Sequence, residues 1–379
     1  MDQKIKLLSI GHSYVVSMNR AILREIAKDP QFEVTIGAPA HFHGSLRSLK
    51  IEPEPIDSNI KLVSLRTILS QKMHIFSYHP SDLNKLIKQN FDCAHIWEEP
   101  YILAGFQVMR SLHNQKTPFL FRTAQSLIKN YIFPFNKFEA YCFKRASRFI
   151  AGGHLVYKAM RDKGLEIPGQ VLSLAVDTKA FKPYSHDEKI KKQKELGLEG
   201  PVICYLGRLS EEKGCDLFME ALTQLKSKKW SFLVMGSGPY EQKIKLWAKQ
   251  NDLNDRVKIA LFKHDEVPKV LPACDLLIAP SQTRSFWKEQ FGRMLVEAFA
   301  SGVPVIGSDS GEIPRVIDQA GRVLKEDDVN LWRENIEEFL DHPENFQKYI
   351  PLGHERAHIY SSENIGNQYK DVYKELAKG

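Results

Sequence analysis

Cysteine is scarce and scattered. Five residues, Cys93, Cys142, Cys204, Cys215 and Cys274, are spread over 379 positions, and no two have the C-x-x-C spacing of a zinc or redox site. They read as buried, reduced thiols of a cytosolic protein. Histidine is no more suggestive of a metal: His41 and His43 are close, but no second pair at ligand spacing accompanies them. Long apolar runs are also missing, and none approaches the ~18 residues that a bilayer crossing requires. The segment Met1–Lys6 leads into a short apolar strand and then Gly11-His12, without the long apolar core of a secretory signal. This sets the expectation of a cytoplasmic chain. Glycine (22) and proline (19) are near background, which excludes a collagen-like or low-complexity body. No repeat of fixed period occurs, which excludes a solenoid.

What is present is the composition of an average globular protein, 43% hydrophobic and 26% charged. At roughly 150 residues per domain, the length predicts two domains. The net charge of +7 is unevenly placed. Residues 1–180 carry 24 Lys and Arg against 15 Asp and Glu, whereas the remainder carries 29 against 31. A basic first half suggests an anionic partner: a phosphorylated substrate, a membrane surface or nucleic acid.

Short apolar strands alternate with helical patterns. Ile5–Ile10 reads as a strand, followed by a helix over Val16–Lys28 and strands at Phe32–Gly37, Cys93–Trp97, Phe119–Arg122, Phe149–Gly152 and Val171–Leu174. After a Pro- and charge-containing stretch, 181–200, the alternation restarts with Val202–Leu206, Phe232–Met235, Val257–Ala260, Leu276–Ala279 and Val303–Gly307. Helices are expected at Asp216–Lys226 and Tyr240–Gln250, with a last one over Ser362–Lys378. The alternation predicts an α/β chain with two doubly wound parallel sheets, in domains 1–180 and 181–360 with a terminal helix in 361–379. Open parallel sheets bind ligands beyond the C-terminal ends of their strands, so two such edges turned toward each other would enclose an interdomain cleft for two substrates.

Three constellations stand at those edges. The first is Gly207-Arg208-Leu209-Ser210-Glu211-Glu212-Lys213-Gly214, between a strand and a helix. Gly207 allows close backbone approach. Arg208 brings a fork of donors and Lys213 a point charge, a pairing suited to a diphosphate. A solvated loop with ordinary surface charges is the plainer alternative. The second runs from Pro280-Ser281 through Glu289-Gln290-Phe291-Gly292-Arg293-Met294-Leu295 to Glu297, with Gly302 as a C-cap. A helix starting near Phe291 or Gly292 presents free N–H groups, a ready anion site. Eight residues along a helix are about 12 Å, beyond the roughly 5–9.5 Å between glycosidase carboxylates, so Glu289 and Glu297 do not read as such a pair. They suit sugar and ribose hydroxyls. The alternative makes Glu289 a first-turn acid and Glu297 a solvated helix residue. The third, Met235-Gly236-Ser237-Gly238-Pro239, reads as a tight turn between strand and helix.

Over residues 202–317 these motifs resemble, in order, the nucleotide-sugar domain of the family 4 retaining glycosyltransferases. Gly207-Arg208-Leu209 with Lys213-Gly214 resembles the phosphate-gripping loop. Glu289 and Glu297, seven residues between them, resemble the paired-glutamate motif, with Phe291-Gly292, Glu297-Ala298 and Gly302-Val303-Pro304-Val305 as its flanks. Ala175-Val176-Asp177 resembles the interdomain segment, with Ala175 in place of Gly. The loop after the first strand, Gly11-His12-Ser13-Tyr14, has one Gly where the family often has two. Thr123-Ala124-Gln125 stands where many members place a His near the sugar, so Gln125 is its equivalent here, able to donate a hydrogen bond but not to relay a proton.

The resemblance implies the GT-B fold, two Rossmann-like domains with the last helix crossing back to the first. It implies metal-independent transfer with retention, without a cofactor, the nucleotide sugar being a substrate. UDP is the favoured nucleotide, and the acceptor is a hydroxyl of a glycan or lipid-linked glycan in polysaccharide biosynthesis. In the mechanism it implies, the leaving phosphate helps to remove the acceptor proton. Arg208, Lys213 and Glu289 are the implied catalytic residues. Gly207, Ser281, Phe291, Gly292, Arg293, Met294, Leu295 and Glu297 are the implied donor-binding set. His12, Glu98, Glu99 and Gln125 are candidates for the acceptor side or the sugar, with His95 and Trp97 on the same strand end. Rival readings are a GT-B sugar-nucleotide epimerase or hydrolase and a catalytically silent binding subunit. The epimerase would need acid and base groups on the sugar.

Residues 128–149 interleave Lys129, Lys137, Lys144, Arg145 and Arg148 with seven aromatic residues, and Glu139 is their sole acid. This suits a core helix over Asn136–Ala146 with Phe138, Tyr141 and Cys142 inward and the cations solvated. Peripheral contact with the inner face of a membrane is the second reading, compatible with the first, in which the other helix face meets lipid phosphate. No nucleic-acid motif accompanies it, so nucleic acid is not an expected partner.

Overall fold

The computed structural model describes residues 4–43 and 48–378. The chain divides into two compact units, residues 1–175 with 362–379, and residues 176–361. The divisions fall after Ala175 and Ser361, against the 180 and 360 read from the sequence. Among the described residues, no helix is long and apolar enough to cross a membrane, and no three His, Cys, Asp or Glu cluster as a metal site. All five cysteines are buried and free.

Unit 1 is built on a seven-stranded parallel sheet: β1 (Ile5–Ile10), β2 (Phe32–Pro39), β3 (Ile60–Leu65), β4 (Cys93–Ile96), β5 (Phe119–Thr123), β6 (Arg148–Ala151) and β7 (Gly169–Val171), in the spatial order 3-2-1-4-5-6-7. The inner strands are apolar on both faces, as in a sheet covered by helices on either side; Leu7, Leu8, Ser9 and Ile10 are all buried. The C-terminal helix Ser362–Ala377 belongs to this unit. Its stripe Ile365, Tyr369, Val372, Tyr373 and Leu376 follows helical spacing and joins Ile22, Leu23 and Ile26 of the helix Ala21–Ala27 in one core. His95 lies in that core, donor or acceptor to Tyr373 Oη at 2.7 Å, and burial with Arg122 nearby lowers its pKa to about 3. His95 is thus a neutral core residue, not part of an acceptor-facing edge.

Two expected elements of unit 1 differ. A continuous helix over Val16–Lys28 does not form: Val16 is extended between two short 3-10 turns, and the helix begins at Ala21. The Ser17 N–H is instead taken by Glu52 at 2.6 Å. The helix Phe135–Arg145 buries Cys142, as expected, but also its one acid, Glu139. Phe138 and Tyr141 are only half-buried, against Phe106. Arg145 is not fully solvated but lies over the Tyr141 ring at 4.0 Å.

Unit 2 has a six-stranded parallel sheet: β8 (Val202–Leu206), β9 (Ser231–Met235), β10 (Val257–Ala260), β11 (Leu276–Ala279), β12 (Val305–Ser308) and β13 (Arg322–Leu324), ordered β10-β9-β8-β11-β12-β13. The 3-2-1-4-5-6 order of unit 1 is therefore repeated. Strand β12 starts two residues later than expected because the Val303 N–H still caps the preceding helix, donating to Ala298 O at 2.9 Å. Its neighbour Pro304 has no N–H to give.

Candidate functional site

In each sheet the strand order reverses once, and a doubly wound sheet binds ligands at that point. In unit 2 the reversal lies between the paired strands β8 and β11. The loops that follow them carry the first two constellations.

The loop after β8 runs from Gly207 to Gly214. The turn after β9 braces it: the Leu209 N–H donates to Ser237 O and the Tyr240 N–H to Leu209 O, each at 3.0 Å. The third constellation thus supports the first, in keeping with a tight turn. Gly214 ends the loop at φ +72°, where a Cβ would stand 1.8 Å from Pro280 O. No other residue fits there, and this close approach sets Lys213 beside the loop after β11.

In that second loop, Glu289 is buried. Lys213 Nζ donates to Glu289 Oε2 at 2.5 Å, and Ser281 Oγ donates to the same oxygen at 2.9 Å. The Lys213 ammonium also lies over the Trp287 ring, 4.6 Å from its centre. The Glu289 backbone is clamped from behind, its carbonyl accepting from the Glu312 N–H at 3.0 Å. A Cβ on Gly311, at φ +60°, would meet that carbonyl at 1.9 Å. Glu289 is therefore not a first-turn helix acid: the helix begins later, at Arg293, after Gly292. Arg208 is the more open of the two cations, paired with Glu212 one turn along. Trp287, Glu212 and Glu312 were not singled out in the sequence. A Trp two residues before Glu289 was the only signal of any of them.

The helix Arg293–Ala300 opens toward this loop with Phe291 buried against the Tyr360 ring. Glu297 is not solvated. Burial raises its pKa from 4.5 to about 7, with Arg293 drawing it back part-way.

Unit 1 reverses between β1 and β4. His12 follows β1, and Glu98 and Glu99 follow β4. His12 Nδ1 lies 2.5 Å from Glu98 Oε2, and the His12 N–H donates to Glu98 Oε1 at 2.5 Å. Tyr78 Oη donates to the same Oε1 at 2.6 Å. Burial alone would lower the His12 pKa, but the charges of Glu98 and Glu99 outweigh it and raise it. Glu99 turns to β5: it accepts from Thr123 Oγ1 and the Ala124 N–H, each at 2.7 Å. Burial pushes its carboxyl above the usual range.

Gln125 is closed in. Its Nε2 lies 3.3 Å from both Glu99 Oε2 and Glu139 Oε1. Its Oε1 accepts from Tyr131 Oη at 3.1 Å and Lys163 Nζ at 3.4 Å, and Lys163 in turn pairs with Glu139 at 2.5 Å. Both ends of the amide are thus occupied by protein partners.

Comparison with known proteins finds likenesses over part of the chain. Residues 186–356, inside unit 2, match the family described as Glycosyl transferases group 1. A mannosyltransferase of Corynebacterium glutamicum, named as GDP-mannose-dependent and acting on a monoacylated phosphatidylinositol monomannoside, is 33% identical over 212 residues, 53% of this chain and 55% of that one. The lipopolysaccharide core mannosyltransferase LpsB of Rhizobium meliloti is 30% identical over 191 residues, 47% of this chain and 52% of the other. The match spans about half the length of these curated relatives. Among solved structures, Anabaena HepE in complex with UDP and glucose superposes with a TM-score of 0.75 at 16% identity, covering 98% of this chain and 100% of its own. That likeness speaks for the fold alone: GT-B, with two Rossmann-like units in one chain.

Proposed function

We propose that the protein transfers a sugar from a nucleotide-sugar donor, held by unit 2, to a hydroxyl of a glycan or lipid-linked glycan held by unit 1. The observation that carries this reading is the Lys213–Glu289–Ser281 cluster at the reversal point of the second sheet, beside Arg208 and the helix start at Arg293. Transfer breaks the bond between the anomeric carbon and the diphosphate, and negative charge grows on the leaving oxygen. Preorganised cations and helix amides stabilise that charge without a metal. Arg208 and Lys213 take the diphosphate, with N–H groups of Phe291–Leu295. Ser281 and Glu289 hold the donor sugar, Glu297 holds the ribose, and Gly207 gives the phosphates room. Retention at the anomeric carbon is part of the proposal, resting on the motif resemblance.

The same resemblance favours UDP, whereas the name of one sequence relative specifies GDP-mannose. Calorimetry with UDP-glucose and GDP-mannose tests the donor half. Micromolar binding of a UDP-sugar is expected; binding of GDP-mannose alone would replace the uridine assignment, and binding of neither would remove the transferase reading. Epimerised sugar formed without an acceptor would convert the reading to an epimerase.

The acceptor is proposed to be presented at the cytoplasmic face of a membrane. The support is in unit 1: Ile132 and Phe133 are each 77% exposed, with Ile128, Lys129 and Lys137 exposed around them. Apolar side chains rimmed by lysines suit an anionic lipid surface.

A further inference from the structure

Trp287 meets a cation of the candidate site, and the donor chemistry assigns it no task. Its ring lies 4.6 Å from the Lys213 ammonium, which also donates to Glu289 at 2.5 Å. A tight hairpin within unit 2 holds the ring in place. The Arg284 N–H donates to Trp287 O at 2.8 Å, and the Trp287 N–H returns to Arg284 O at 3.2 Å. The base of the hairpin is tied on both sides. The Gln282 N–H donates to Glu212 O at 2.8 Å, in the loop that carries Lys213. The Thr283 N–H donates to Glu326 Oε2, also at 2.8 Å, in the loop after β13. The ring and the Lys213 backbone therefore share one frame, while the tip of the hairpin stays outside it, with Phe286 64% exposed.

The Lys213 side chain is only 17% exposed, so the protein must answer its charge. Glu289 does so with a carboxylate, which takes an N–H and opposes any anion that arrives. An aromatic face answers it differently. The ring quadrupole attracts the ammonium, consumes no N–H and adds no net charge. We infer that Trp287 is a positioning residue acting through Lys213: its ring keeps the ammonium in place while the hydrogen bond to Glu289 is shared with a diphosphate. The inference rests on the reading of Lys213 as a diphosphate cation and adds the group that holds it. Lysine is a point charge on a flexible four-carbon stem. Released from the carboxylate without a second anchor, it would have to be ordered again as charge develops on the leaving oxygen. The ring removes that cost, because a preorganised cation needs no rearrangement at the moment of reaction.

The role depends on electron density over the ring face and not only on its bulk, which separates it from plain packing. Progressive fluorination of a tryptophan drains the face while leaving its shape almost unchanged, and the attraction for a cation falls in step.

The test places progressively fluorinated tryptophans at position 287 of the full chain, beside Trp287→Phe and Trp287→Leu. Release of nucleoside diphosphate from UDP-glucose and GDP-mannose, with water as the acceptor, is followed at saturating donor, and donor affinity is measured by calorimetry. Each added fluorine is expected to slow release by a further step, Trp287→Phe by about threefold and Trp287→Leu by ~10-fold, with donor affinity within about threefold of the wild type. In the Lys213→Met background the fluorine series should be flat, because the ring acts through the ammonium. A series that keeps its slope in that background means that the ring touches the donor directly, and a series flat in the wild-type background leaves only packing; either overturns the inference. A second measurement needs no donor. Urea midpoints of Lys213→Met, Trp287→Leu and the double variant should show losses that are less than additive, and strict additivity also overturns the inference. Failure of the wild type to bind either donor is seen separately in the calorimeter and removes the reading beneath, while the urea cycle still decides whether the ring holds Lys213.

Discussion

Lys213 reaches across 76 positions of sequence to place its ammonium 2.5 Å from the Glu289 carboxylate. The cation proposed for the diphosphate is therefore already neutralised when the site is empty, and so is Arg208, by Glu212. An arriving diphosphate must share Lys213 with Glu289. Removing the carboxylate releases the cation: Glu289→Gln is expected to bind free UDP at least as tightly as the wild type while losing ~100-fold or more in transfer. Weaker UDP binding would show that Glu289 does not restrain Lys213. The pair also has a folding signature, because a buried partner left alone costs about 3–5 kcal/mol. Lys213→Met should lower the urea midpoint sharply, and Lys213→Met with Glu289→Gln should recover most of the loss.

Glu297 carries a pH dependence of opposite sign in stability and in binding. Its pKa is raised from 4.5 to about 7 by burial. Between these values the folded state holds a proton that the unfolded state has lost, so stability falls as pH rises from 4.5 to 7 and is level above. The shift corresponds to a penalty on the order of 3 kcal/mol at pH 8. Glu297→Gln should melt higher than the wild type at pH 8, with the gap closing toward pH 4.5. Ribose hydroxyls donate best to a carboxylate, so wild-type UDP affinity should rise through pH 7 and the variant's should be weaker and flat. A flat wild-type profile would take Glu297 out of ribose binding.

Strands β8 and β11 were legible to the residue because each is a short run buried on both faces between turn residues. Two sheet-edge strands, β3 and β13, were not. In β3 the outward Lys61 and Ser64 break the apolar run, and β13 is three residues long with Val323 exposed. The site divides in the same way. Loops that follow strands can be located from sequence, so Arg208, Lys213, Ser281 and Glu289 could be placed at one edge. Which carboxylate takes which cation could not, since Gly214 and Gly311 set it through approaches to Pro280 and Glu289 that are distant in the chain. Glu139 shows the limit most plainly. It read as the lone acid of a basic face, and only the fold brings Lys163 and Gln125 to it.

Gln125 illustrates how position and role part company. It stands at the end of β5 where the resemblance sets a sugar-contacting His, yet its amide is spent between Glu99, Glu139, Tyr131 and Lys163. Gln125→Ala removes a donor from two buried carboxylates and leaves a void, at a cost of about 2–4 kcal/mol. The urea midpoint should fall accordingly while UDP affinity, proposed to reside in unit 2, stays within twofold. A variant of unchanged stability with a large loss of transfer would instead return Gln125 to the sugar.

Ile132 and Phe133 project from the segment that leads into the helix Phe135–Arg145, and nothing within the described residues of unit 1 covers them. Burying an apolar side chain of this size is worth about 1.5–3 kcal/mol when complete, and a lysine near an anionic surface adds about 1 kcal/mol. Two half-inserted side chains with Lys129 and Lys137 should therefore hold the protein on phosphatidylglycerol-containing vesicles. Ile132→Asp with Phe133→Asp is expected to weaken co-sedimentation at least tenfold at every salt concentration. Lys129→Glu with Lys137→Glu should weaken it chiefly at low salt, because the lysine contribution is screened within a Debye length of about 8 Å at physiological ionic strength. Equal binding to neutral and anionic vesicles would remove the electrostatic half of the proposal. Undiminished binding by the Asp variant would remove the other half.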